Sequence, residues 1–65
     1  MNSIGLQIKM NRKFKKISQF ELAEKVGISQ TYLSQLENNF KNPGLSLLVK
    51  IATELNVTLI INPKQ

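Results

Sequence analysis

Ile17-Ser18-Gln19-Phe20-Glu21-Leu22-Ala23-Glu24-Lys25-Val26-Gly27-Ile28-Ser29-Gln30-Thr31-Tyr32-Leu33 is the stretch on which the fold turns. Ser18 and Glu21 have capping-box spacing: the serine hydroxyl accepts from the Glu21 amide, while the carboxylate reaches back to the Ser18 amide. Ile17 before the cap and Leu22 inside the helix form a hydrophobic staple that sets the entry angle of the chain. Gly27 stops this helix after Val26, because glycine enters the left-handed conformation without a Cβ penalty. Ser29 then caps a new helix, and Ile28 with Leu33 repeats the staple. Two short helices joined by a tight glycine-containing turn make a helix-turn-helix over 18–37, with the second helix running from Gln30 to about Glu37.

Outward from this unit, Ile4 to Lys16 reads as a first helix, with Ile4, Ile8, Leu6 and Phe14 turned inward and the basic residues outward. Ala23 is small enough to let the two helices of the unit cross closely, and Val26, Ile28, Leu33 and Leu36 fill the wedge between them. Asn38 to Gly44 is a loop by composition. Leu45, Leu48, Ile51, Ala52 and Leu55 keep helical spacing in a fourth helix that Asn56 ends. Val57-Thr58-Leu59-Ile60-Ile61, rich in β-branched residues and closed by Asn62-Pro63, reads as a short strand over 57–62.

The composition narrows the function. The 65 residues allow one domain, 1–65, and contain no Cys and no His. Disulfides, thiol nucleophiles, imidazole bases and the usual zinc ligands are therefore out of reach. The four acidic residues, Glu21, Glu24, Glu37 and Glu54, are scattered, so no catalytic cluster or metal site converges and no cofactor is expected. Nor is there an apolar run long enough for a membrane span or signal segment, and the expected location is the cytoplasm. Nine Lys and Arg against four Glu give a charge of +5, which suits a polyanion. Lys9, Arg12, Lys13, Lys15 and Lys16 crowd the first quarter of the chain. The few aromatics, Phe14, Phe20 and Phe40, read as core or loop anchors rather than as a stacking platform for RNA.

The outward positions of the helix that Ser29 starts are Gln30, Thr31, Ser34 and Gln35, with Tyr32 at the edge. A solvated helix face is polar too, but it more often carries Lys and Glu. Gln donates and accepts at once, as the N6 and N7 edge of adenine requires, and the Thr31 methyl can meet a thymine methyl. The stretch Ile17 to Gln30, with Leu36-Glu37-Asn38, Asn42-Pro43, Leu45, Leu48, Lys50-Ile51-Ala52 and Leu55-Asn56-Val57, resembles the Cro/CI-type, lambda-repressor-like helix-turn-helix family. The resemblance implies an all-α, compact four-helix domain that binds a near-palindromic double-stranded DNA operator as a homodimer. It implies Gln30 as the principal base reader with Thr31 and Gln35 as the other two, and Ser34 on the same outward face is a further candidate. It implies Gln19 and Asn38 with Lys41 as phosphate contacts, to which Ser29, Tyr32 and Asn42 are added as candidates, and Arg12 with Glu37 as a structural ion pair.

The chain departs from that pattern at Asn11, where an apolar residue is usual, and in its tail. An exposed strand of Leu59, Ile60 and Ile61 needs a partner edge. Pairing of Val57, Leu59, Ile60 and Ile61 with a second copy would hold two reading helices one DNA turn apart, ~34 Å. A fifth helix is the alternative. The tail also resembles that of antitoxins of HipA-type kinases, which leaves a toxin protein as a possible partner.

Overall fold

Serine hydroxyls start three of the four helices in the computed structural model, which describes residues 3–60. They are α1 (Ile4–Phe14), α2 (Gln19–Val26) and α3 (Gln30–Glu37); α4 (Leu45–Leu55) begins at Gly44 without a side-chain cap. Ser3 Oγ accepts from the Leu6 amide at 3.1 Å, Ser18 Oγ from Glu21 at 3.0 Å and Ser29 Oγ from Tyr32 at 3.0 Å. Each bond satisfies one of the amides that a helix start leaves without a partner. Of the capping box, the structure forms this forward arm.

The helices also end alike. A left-handed residue, Lys16, Gly27, Asn39 or Asn56, is followed by one whose amide returns to the last turn: Ile17 to Arg12, Ile28 to Ala23, Phe40 to Gln35 and Val57 to Ala52. This is the Schellman arrangement, which uses carbonyls that would otherwise face outward unpaired. Glycine holds only one of these positions. Asn tolerates the left-handed region through its short polar side chain, and Lys16 takes it at φ 60°.

Ile8, Leu22, Ala23, Val26, Leu33, Leu36, Leu48, Ile51 and Leu55 form one core to which all four helices contribute. At Gly5, α1 meets the end of α3 backbone to backbone: a Cβ there would lie 2.3 Å from the Leu36 carbonyl oxygen and 2.9 Å from that of Glu37. No other residue type fits without movement.

Several positions differ from the sequence reading. Phe14 is 84% exposed and Leu6 sits at the surface. The buried face of α1 is Gly5, Ile8 and Arg12, and Phe14 lies two residues past Arg12, about 200° around the helix. Phe20 and Phe40 are likewise exposed, so none of the three phenylalanines is a core residue. Leu45 is exposed because burial along α4 fades toward its start, from Leu55 and Ile51 to the slightly open Leu48.

Val57 to Ile60 form neither a fifth helix nor a ladder within the chain. Val57 and Leu59 pack on the chain's own core, while Ile60 is 72% exposed. The Gln7 side-chain amide takes both backbone groups of Ile60: Nε2 donates to its carbonyl and its amide donates to Oε1, each at 2.8 Å. Ile61 and Asn62, the rest of the expected strand, lie outside the described residues. Among the described residues no helix is long and apolar enough to cross a membrane.

Candidate nucleic-acid interface

The head of α3 presents its side chains outward because Leu33 and Leu36 are fully committed to the core, which leaves the opposite helical positions to solvent. Gln30 and Thr31 are exposed, and Ser34 and Gln35 are half-buried one turn on. All four line one open cleft of about 460 Å³ together with Gln19, the first residue of α2, and Phe40 from the turn after α3. Two helices and one turn thus bring six residues to one concave surface.

An ion-pair network beneath this cleft fixes how its walls stand. Arg12 Nε donates to Glu37 Oε2 at 2.7 Å and Nη2 donates to Oε1 at 3.0 Å, both buried. This is the bidentate geometry that guanidinium and carboxylate planes favour. Arg12 Nη1 donates to the Ile17 carbonyl at 2.9 Å, and Gln19 Nε2 donates to Glu37 Oε1 at 3.0 Å. One arginine and one glutamate therefore tie α1, the α1–α2 turn, the head of α2 and the end of α3 together. Asn11, the departure from the family pattern, donates to the Gln7 carbonyl within α1 at 2.8 Å and leaves the Arg12 register intact.

The other expected contacts are distributed around this centre. Ser29 is exposed at the head of α3 with its hydroxyl used as the cap. Tyr32 is half-buried against the core. Asn38 Nδ2 turns back to the Ser34 carbonyl at 2.9 Å, so its amide nitrogen closes α3. Lys41 and Asn42 are exposed in the following loop. Arg12 is withdrawn from the basic set, which leaves Lys13, Lys15 and Lys16 exposed and Lys9 half-buried. Among the described residues no cluster of His, Cys, Asp or Glu could hold a metal.

Phe40 is the cleft residue that sequence reasoning missed. Its signal was available in the spacing: a left-handed turn at Asn39 folds the next residue back beside Gln35.

Residues 8–61 match the family model for Helix-turn-helix (HTH_3). The chain is 44% identical over 57 residues to the transcriptional regulator SinR of Bacillus subtilis, covering 86% of this chain and 51% of that one. It is 40% identical over 55 residues to the immunity repressor protein of Bacillus phage phi105, covering 85% of this chain and 38% of the relative. The chain spans between 32% and 58% of the length of the first three curated relatives it matches. Among solved structures it is similar to SinR in complex with DNA, with a TM-score of 0.79 at 44% identity over 86% of this chain and 90% of that one. It is similar also to the P22 c2 repressor in complex with a synthetic operator, with a TM-score of 0.83 at 29% identity over 89% and 88%.

Proposed function

The chain belongs to the Helix-turn-helix family, and from that membership we propose that it is a sequence-specific double-stranded DNA-binding transcriptional regulator, acting as a dimeric repressor that occludes a promoter. The observation that carries this reading is the shared cleft at the head of α3, where Gln30, Thr31, Ser34 and Gln35 stand side by side. These uncharged donors and acceptors complement the base edges of the major groove, which admits one helix. Gln30 is assigned the chief reading role, with Thr31, Gln35 and Ser34 as seconds. Phosphate contacts fall to Gln19, Ser29, Tyr32, Asn38, Lys41 and Asn42, with the α2 amide groups that point out of the helix start. The Gln19 amide nitrogen donates one hydrogen to Glu37 and keeps a second, which with its backbone amide would hold a phosphate there.

Relatives that bind DNA as regulators and repressors support this reading, and so does the +5 charge. The tail lends nothing to the antitoxin reading, since Val57 and Leu59 are spent on the chain's own core. Selection of bound duplexes from a random pool is the test. A near-palindromic motif with half-sites about one turn, ~34 Å, apart is expected. Recovery of unselected sequence would overturn the assignment.

A further inference from the structure

The closing turn repeated after each helix places Ile17, Ile28, Phe40 and Val57 in equivalent positions, where an apolar residue ordinarily packs back on the helix it follows. Ile17, Ile28 and Val57 do so and join the core. Phe40, the largest of the four, is 78% exposed. It lines the cleft with Gln19, Gln30, Thr31, Ser34 and Gln35, five residues that engage a partner only through polar groups and one methyl.

The mount beneath the ring is firm. The Phe40 amide donates to the Gln35 carbonyl at 2.8 Å, and the Lys41 amide approaches the same oxygen at 3.4 Å. Asn39 Nδ2 donates to Ser3 Oγ at 2.9 Å, so the hydroxyl that caps α1 also holds this turn. A Cβ on Gly5 would come within 2.6 Å of Asn39 Oδ1, which shows how closely α1 presses on the turn from behind. A bulky apolar side chain whose backbone is fixed beside Gln35 is suited to recognition, because only its own rotamers remain to be ordered when it engages.

We propose that Phe40 is a specificity-determining residue, whose ring receives the 5-methyl group of a thymine in the major groove at the base step beside the one facing Gln35. Thymine alone presents an apolar group on that edge, and an apolar side chain is its natural partner. The proposal rests on the DNA-reading function stated above.

The test uses the whole chain and two variants, Phe40→Ala and Phe40→Leu, in selection from a random duplex pool. Binding is then measured on the selected site with the thymine in question replaced by uracil, which removes only the methyl. Uracil is expected to weaken the wild-type chain about fourfold per half-site, the worth of one buried methyl-sized group. Phe40→Ala should bind thymine and uracil sites equally, Phe40→Leu should fall between, and the preferences at the other positions should persist. An unchanged thymine preference in Phe40→Ala would overturn the proposal. So would equal loss on selected and random duplexes, or a loss of helical circular dichroism that marks the ring as structural. A wild-type chain that selects no motif removes the DNA-reading function and this proposal with it. A motif that Phe40→Ala reproduces removes the Phe40 assignment alone.

Discussion

At the residue scale, Gln30 and Gly5 show two opposite ways in which a position becomes hard to replace. Gln30 is exposed at the head of α3. Gln30→Ala is accordingly expected to leave thermal stability unchanged while weakening binding to the selected site by about 1–3 kcal/mol and relaxing preference at one base pair. Equal loss on random DNA in the same titration would count against base reading. Gly5 is buried against the Leu36 and Glu37 carbonyls. In an exposed helix, Gly→Ala stabilises by about 1 kcal/mol. Here the added methyl meets backbone that cannot swing aside, and Gly5→Ala is expected to destabilise by about 2 kcal/mol, as overpacking does, read from the urea midpoint. Lys16 has the reverse problem, a side chain with its backbone in left-handed space. Relief of a strain of about 1–2 kcal/mol, less the chain entropy of glycine, gives Lys16→Gly a net gain of about 0.5 kcal/mol in the same experiment.

At the element scale, the arrangement of α1, α2 and α3 hangs on Arg12 and Glu37, each almost wholly buried. Removing one partner strands a charge, and Glu37→Ala is expected to cost about 3–5 kcal/mol, whereas the paired change Arg12→Met with Glu37→Leu should restore most of it. Chemical denaturation of the three chains checks this; a double variant no better than the single would show that the network does more than neutralise itself. The helix boundaries were legible because their signals are local. Ser18, Ser29, Gly27 and Asn56 act within a turn or two of themselves, and the structure uses each as the spacing predicts. What escaped depends on contacts between distant segments. Nothing near Gly5 in the chain tells that the end of α3 will press on it, the pattern of apolar residues does not tell that Arg12 joins the packed face and leaves Phe14 on the opposite side, and it does not tell that packing fades before Leu45. The cleft was legible as a polar helix face but not as a concavity, since one of its walls, Phe40, arrives through a turn.

At the scale of the whole molecule, the net charge and the tail matter together. Exposed Lys41 is expected to add one phosphate contact without sequence preference. Lys41→Ala should therefore weaken binding to all duplexes alike and lower the slope of log affinity against log salt by about one, a dependence that titrations at several salt concentrations measure directly. Dimer formation through the tail is proposed at Ile60, which is exposed where Val57 and Leu59 are not. Light scattering on Ile60→Lys should find a monomer at concentrations where the wild-type chain is paired, and an undiminished dimer would move the interface elsewhere. The Gln7 amide gives this expectation a further edge. By matching both backbone groups of Ile60, one side chain serves as a removable stand-in for a neighbouring strand. An incoming tail that pairs at Ile60 would not meet a bare edge; it would exchange with Gln7 bond for bond, so association there would proceed as a substitution, nearly neutral in hydrogen bonding and governed by how often the glutamine lets go.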